Sequence, residues 1–351
     1  MTDPLLIYGA TGYTGGLIVN DAVARGLRPI LGGRSRDPLA ALAGSLGLQY
    51  RVAALHDRPE LDAALDGIRV VLHAAGPFSE TAQPMVDACL RAGAHYLDIT
   101  AELGVYERLA GRNAEARARG ITLLPGTGFD IVPSDCLAAH VARRLPSADR
   151  LTLAVRGLVL TSRGSAKTFV EYAGVGVFVR RDGTLTSIPP GSLQRRFDFG
   201  DGAVPCVNVS WGDVAAAYYS TGIPNIEVYF EATPMLQAVL MAGRAFGWVL
   251  GTPPWQTWLK AHADLLPEGP AEGDRLPRQA VLVAEASDPA GRTARARLRT
   301  PEAYTFTGRS AALIAARVLR GDCEIGFQTP ARVYGPDFVL SFDGVAREDL
   351  P

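Results

Sequence analysis

Gly9, Gly12 and Gly15 punctuate the stretch Gly9-Ala10-Thr11-Gly12-Tyr13-Thr14-Gly15, which follows the apolar run Leu5-Leu6-Ile7-Tyr8. A strand that ends in a glycine loop and passes into a helix is the arrangement that holds a dinucleotide. One glycine makes the tight turn, one lets the backbone approach a pyrophosphate, and one lets the helix lie close to the strand. The free N–H groups of the helix start then face the phosphates. The spacing G-x-x-G-x-x-G varies from G-x-G-x-x-G but meets the same physical needs. Residues Gly9, Ala10, Thr11, Gly12, Tyr13, Thr14 and Gly15 are therefore expected to bind the cofactor; the competing reading is an ordinary glycine-rich turn.

The end of the second strand selects between cofactors. An NAD site places Asp or Glu there, to accept from the ribose 2′-hydroxyl. After Pro29-Ile30-Leu31 this chain has Gly32-Gly33-Arg34-Ser35-Arg36. A guanidinium fork suits a 2′-phosphate, which a carboxylate would repel. Arg34 and Ser35 thus point to NADP(H), against the alternative that Arg34 and Arg36 are solvated charges in an Arg-rich chain.

In an open α/β sheet the ligand lies beyond the carboxyl ends of the strands. Ala75, Gly76 and Pro77 follow the fourth strand, and their small size would let the nicotinamide half lie close to backbone. Asp98, Thr100 and Glu102 follow the fifth; Gly126, Gly128, Phe129 and Asp130 follow the sixth, with Ser134 and Asp135 opening a helix. Gly128 and Phe129 are counted with the cofactor site. Helix capping is the competing role for Asp130 and Ser134, and a loop-tying hydrogen bond for Asp98.

These residues need an α/β scaffold. Strand-like and helix-like runs alternate up to residue 145, and six strands end by about residue 125, which predicts a Rossmann doubly wound parallel sheet over 1–145. One Arg-rich helix is expected over 106–119. From Leu151 the texture becomes strands of a half-buried sheet (151–160, 204–211, 226–232, 279–286) between helix candidates at 166–175, 234–248, 254–262 and 307–319, with an exposed loop at 266–278. This predicts an inserted α+β substrate or dimerisation domain over 146–320, and residues 321–351 returning to the first domain. The apolar stretch 235–250, broken by Gln237 and Arg244, reads first as a buried helix. Its alternatives are a wall for an acyl substrate, a membrane-surface contact, or a dimer interface.

Composition narrows the partners. The 351 residues are 48% hydrophobic and 20% charged with a net charge of −1, which argues against nucleic acid. The glycine fingerprint begins within ten residues of Met1, leaving no room for a signal peptide, and four scattered cysteines make no metal-ligand spacing. A cytoplasmic protein with reduced thiols and no metal is expected. No tyrosine has Lys four residues on, which removes the carbonyl chemistry of short-chain dehydrogenases.

Gly9 to Gly15, Gly32-Gly33-Arg34, Ala75-Gly76-Pro77-Phe78, His95 to Glu102 and Gly128 to Asp135 together resemble the saccharopine dehydrogenase-like oxidoreductases, in particular their trans-acting enoyl reductase branch. The ordered set covers roughly the first 140 residues, with a weaker echo at Thr329-Pro330-Ala331. The resemblance implies NAD(P)H-linked hydride transfer, most directly to a C=C bond conjugated to a carbonyl on a small-molecule or carrier-linked acyl or polyketide intermediate. It also implies a homodimer. Reduction of C=N or C=O is the second reading; a non-catalytic dinucleotide sensor is the third. The proton donor stays open among Asp130, Tyr96, Ser134, Lys167 and water. An opine-type reaction would need cations such as Arg156, Arg163, Lys167, Arg180 and Arg181 to converge on substrate carboxylates.

Overall fold

The computed structural model describes residues 3–158, 162–163, 176–263, 265 and 268–351. Lys167 and the helix expected over 166–175 lie outside the described residues. Contacts divide the chain into two units, Met1–Val132 with Tyr304–Val333, and Pro133–Ala303 with Tyr334–Pro351.

The first unit is built on a 7-stranded sheet. Its strands β1 (Leu5–Tyr8), β2 (Ile30–Gly33), β3 (Tyr50–Val52), β4 (Val70–His73), β5 (His95–Asp98) and β6 (Thr122–Leu124) are joined by the pair Gly326–Phe327. The order is Gly326–Phe327, β6, β5, β4, β1, β2, β3, every neighbouring pair parallel. β1 and β4 are buried along their whole length, as expected of apolar runs covered on both faces by helices. The order reverses between β1 and β4, so those two strands flank the crevice where such sheets bind ligands. The fold class read from the sequence is the one observed.

The second unit holds a 9-stranded mixed sheet. Its order is Gln194–Asp198, Ala203–Asn208, Asn225–Glu231, Arg150–Arg156, Gln279–Ser287, Thr293–Pro301, Ala346–Leu350, with the hairpin Val177–Arg181/Thr184–Ile188 pairing to Asn225–Glu231. Thr293–Pro301 shows the alternation of a one-sided sheet: Ala294, Ala296, Leu298 and Thr300 point inward between Arg295, Arg297 and Arg299.

Several expectations change. The helix read over 106–119 is two, Leu103–Gly111 and Asn113–Arg119, parted at Arg112, whose guanidinium pairs with Asp87 and Glu115. The loop read over 266–278 contains a short helix, Glu272–Arg275. The helix Ala303–Leu319 groups, from Tyr304 onward, with the first unit rather than the second. The last strand, Ala346–Leu350, pairs with Thr293–Pro301 and groups with the second. The helix Pro234–Leu250 forms but has no buried residue, so the buried-helix reading of this stretch is overturned. All four cysteines are free: Cys89, Cys136 and Cys206 are buried and Cys323 is partly exposed.

Candidate dinucleotide-binding site

β1 ends at Gly9, whose φ of 85° is a left-handed value that favours glycine. A Cβ there would come within 2.8–2.9 Å of Ala74 and Ala75, so the missing side chain lets the turn press against the loop after β4. The Gly9 and Ala10 N–H groups donate to the Gly32 carbonyl at 2.9 and 3.3 Å, tying the turn to β2. The helix α1 (Tyr13–Ala24) closes on the same turn: a Cβ at Gly15 would lie 2.0 Å from the Gly9 carbonyl oxygen. Thr11 and Gly12 stay exposed at the tip. No side chain caps α1, and its first turn holds no acidic residue. A helix start without a cap presents N–H groups and the positive end of the dipole, the two features a pyrophosphate requires. The cradle therefore fits a dinucleotide.

Beyond β2, Arg34, Ser35 and Arg36 are exposed. Ser35 is the N-cap residue of the helix Arg36–Leu46, yet its side chain makes no capping bond. The nearest acidic residue in sequence, Asp37, sits within the first turn of that helix. Cations and a second uncapped helix start thus stand where a ribose 2′-substituent belongs, and a 2′-phosphate suits them better than a hydroxyl.

The loops after β4, β5 and β6 are fixed by a buried network. Ala75 and Pro77 are partly exposed and Gly76 is exposed; the Thr81 hydroxyl lies 2.7 and 2.9 Å from the carbonyls of Ala75 and Pro77. The Phe78 N–H donates to Glu102 Oε1 at 2.8 Å. The Glu102 N–H donates to the Thr100 hydroxyl at 3.0 Å, and the Thr100 N–H to Asp98 Oδ1 at 2.9 Å. Asp98 also accepts from the Gly126 N–H at 2.9 Å and from the Tyr96 hydroxyl at 2.8 Å. Its backbone carbonyl accepts both the N–H and the hydroxyl of Thr127 at 2.7 Å. Burial raises the Asp98 carboxyl to about 6, against the pull of those three donors. The loop-tying role of Asp98 is the observed one.

The described candidates for proton donor sit in different surroundings. Asp130 follows β6, is partly exposed, and is pushed up to about 7 by burial. Tyr96 is fully buried and donates to Asp98; burial and that carboxylate hold its phenol well above the usual range. Ser134 falls in the second unit, buried, with its hydroxyl bonded to Asp213. Gly128 and Phe129, counted with the cofactor site from the sequence, are buried and packed inside the unit. A Cβ at Gly128 would meet Thr307 Cγ2 at 2.9 Å, the Phe129 N–H donates to the Thr307 hydroxyl at 3.0 Å, and the Phe129 ring meets Phe306 edge-on at 6.1 Å.

Two features of the site escaped sequence reasoning. The helix Ala303–Leu319 clamps it: the Ser310 hydroxyl donates to the Thr127 carbonyl at 2.7 Å, and Gly308 brings the helix against α1, where a Cβ would meet Asp21 Oδ2 at 2.7 Å. Its small residues Gly308, Ser310, Ala311 and Ala315 were the available signal. His73, closing β4, is the second. It is fully buried among the rings of Tyr8, Phe78 and Tyr96, with centroids at 5.5, 5.4 and 6.2 Å. Neither ring nitrogen finds a hydrogen bond among the described residues, and burial lowers its pKa to about 3.

Three of the five cations that an opine-type reaction would need are otherwise engaged. Arg156 pairs with Asp201 and Glu231, and Arg181 with Glu227. The buried Arg180 donates to the carbonyls of Val214 and Gly183 and lies 4.0 Å over the Tyr218 ring.

Comparison with known proteins agrees with this geometry. Residues 5–124 match the family model for the saccharopine dehydrogenase NADP binding domain. The chain is 31% identical over 187 residues to a trans-acting enoyl reductase of Mycobacterium ulcerans, covering 48% of this chain and 44% of that protein. It is 32% identical over 149 residues to the trans-acting enoyl reductase of Mycobacterium leprae, covering 40% and 36%. The chain thus spans under half the length of the curated relatives it matches. Among solved structures it superposes on apo saccharopine dehydrogenase (L-Glu forming) from Saccharomyces cerevisiae with a TM-score of 0.66 at 13% identity, covering 99% of each chain. The homospermidine synthase of Legionella pneumophila in complex with NAD gives 0.65 at 9%, covering 100% of this chain and 92% of that one. These likenesses establish the fold along the whole chain and bear out the resemblance read from the motifs.

Proposed function

We propose that this chain, whose first domain is of the saccharopine dehydrogenase NADP-binding type, is an NADPH-dependent reductase of a C=C bond in an enoyl-type acyl or polyketide intermediate. The observation that carries the reading is the uncapped start of α1 above the Gly9–Gly15 contact, with Arg34 and Ser35 exposed beside it. Bound NADPH would supply a hydride for the β-carbon of the enoyl group. The chain's residues do the rest. The free N–H groups at the start of α1 hold the pyrophosphate, Arg34 and Ser35 hold the 2′-phosphate, and Ala75, Gly76 and Pro77 form a small-residue wall for the nicotinamide half. The Asp130 carboxyl gives the α-carbon its proton; a carboxyl raised to about 7 is still half protonated at neutral pH, whereas an ordinary one is not.

The enoyl substrate rests on the names of the curated relatives. The engagement of Arg156, Arg180 and Arg181 weakens the C=N alternative of opine type. A dinucleotide sensor without turnover is favoured by one observation, the packing of Gly128 and Phe129 beneath Thr307 and Phe306. NADPH oxidation assayed against α,β-unsaturated thioesters, imines and ketones separates the readings. Turnover of the thioesters alone is the expected result. Turnover of imines alone would overturn the enoyl reading, and tight NADPH binding with no turnover of any class would favour the sensor. The rate should fall as pH rises through about 7, because the protonated form of Asp130 is the active one. We also propose a homodimer; light scattering at the monomer mass alone would remove that part.

A further inference from the structure

The helix Pro234–Leu250 is apolar almost all round: from Pro234 to Leu250 the only polar residues are Gln237 and Arg244. Such a helix is ordinarily a core element. Here none of its residues is buried. Trp248 is 81% exposed, Met235 79%, Met241 70% and Phe246 59%. At 100° per residue, Trp248, Met241, Ala245, Met235, Phe246 and Val239 fill one continuous arc of about half the circumference. Of the partly buried residues, Leu236, Leu240, Gly243, Gly247 and Leu250 lie on the opposite side, while the smaller Ala242 and Val249 fall within the arc. Gln237 and Arg244, seven positions apart, share one stripe at the edge of the exposed arc. After a single turn the helix Pro253–Ala263 adds Trp255 and Trp258, both exposed, with their rings edge-on at 5.4 Å. Three of the four tryptophans of the chain fall in this one segment.

An apolar surface of this size calls for a cover, and charge selects which. Residues 232–263 contain no Asp or Glu; their charged residues are Arg244 and Lys260, in a chain whose net charge is −1. Tryptophan and cations beside an apolar arc are the pattern of a helix that lies in a membrane interface. Among the described residues no helix is long and apolar enough to cross a membrane, so the geometry is in-plane rather than spanning. We propose that the helical hairpin 234–263 docks the protein on an anionic lipid surface, with Met235, Met241, Phe246 and Trp248 at the acyl boundary and Arg244 among the headgroups. Docking does not depend on the reductase reading.

The test is co-sedimentation of the full chain with vesicles of phosphatidylglycerol and phosphatidylcholine, and with phosphatidylcholine alone. The mixed vesicles should bind about tenfold tighter or more, as two cations near an anionic surface imply. Added salt should weaken binding, and the tryptophan emission should shift to the blue. The double variant Phe246→Ser/Trp248→Ser should lose binding by about tenfold or more while its melting temperature and NADPH affinity stay at wild-type values, since both side chains are exposed. Three results would overturn the proposal: wild type left in the supernatant with either vesicle, the double variant pelleting like wild type, or a wild-type dimer that fails to pellet and becomes a monomer in the variant. The last would show that the arc covers a second copy of this chain.

Discussion

Under the proposed reading Asp130 gives the proton and Tyr96 supports the fold, and the two predict opposite behaviour. Burial raises Asp130 to about 7, so the folded state holds a proton that the unfolded chain releases near pH 4. The sign follows: the stabilisation is full below about pH 4 and is lost as pH rises through about 7. Asp130→Asn should therefore melt above wild type at pH 8, by a smaller margin at pH 5, converge with it below about pH 4, and lose reductase activity. A variant that melts lower at pH 8 would show that the ionised carboxylate is held by favourable contacts. Tyr96→Phe removes the phenol from Asp98 and leaves a buried acceptor short of a donor, costing about 1–3 kcal/mol of stability in a thermal or denaturant titration. NADPH binding and kcat should survive; a kcat collapse in a variant that still binds cofactor would return Tyr96 to the proton donors. At this scale Gly9 and Gly15 were legible because backbone geometry demands glycine there. Gly128 was not, because its reason is Thr307, distant in sequence. His73 was passed over because one histidine at a strand end carries no pattern.

Among elements, the contact between β1 and α1 is the one the site depends on. Gly15→Ala would set a Cβ 2.0 Å from the Gly9 carbonyl, so the helix must back away from the turn. A loss of about 1–3 kcal/mol is expected, with NADPH binding impaired more than the melting temperature alone explains. A variant with wild-type stability and affinity would contradict the close approach. β1 to β6 were readable because buried parallel strands are short continuous apolar runs between helical patterns. The second sheet was read only in part. The hairpin Val177–Arg181/Thr184–Ile188 went unread although Asp182-Gly183, with φ of 47° and 76°, is the turn pair that two-residue hairpins favour. Its strands carry many exposed positions, so their apolar periodicity is faint.

At the scale of the molecule, the chain leaves the first unit after Val132, returns at Tyr304, and ends in the second. The return was placed too late in the sequence reading because the helix Ala303–Leu319 is amphipathic in itself and only its partners, α1 and the loop at Thr127–Phe129, reveal its unit. The apolar hairpin at 234–263 shows the complementary limit: its hydropathy reads as a buried helix, and only the exposure of Met235, Met241, Phe246 and Trp248 shows that its face is uncovered within the chain.

The central claim is that the first unit holds NADPH through Arg34. The most direct test is titration of intrinsic fluorescence with NADPH and with NADH, on wild type and Arg34→Ala. NADPH should bind wild type at least about tenfold tighter than NADH, as one charge-assisted contact to a 2′-phosphate implies. Arg34→Ala should erase that preference and leave NADH affinity unchanged. Equal affinity of wild type for the two cofactors, or a preference that survives in the variant, would contradict the role of Arg34, and no binding of either would contradict the site itself.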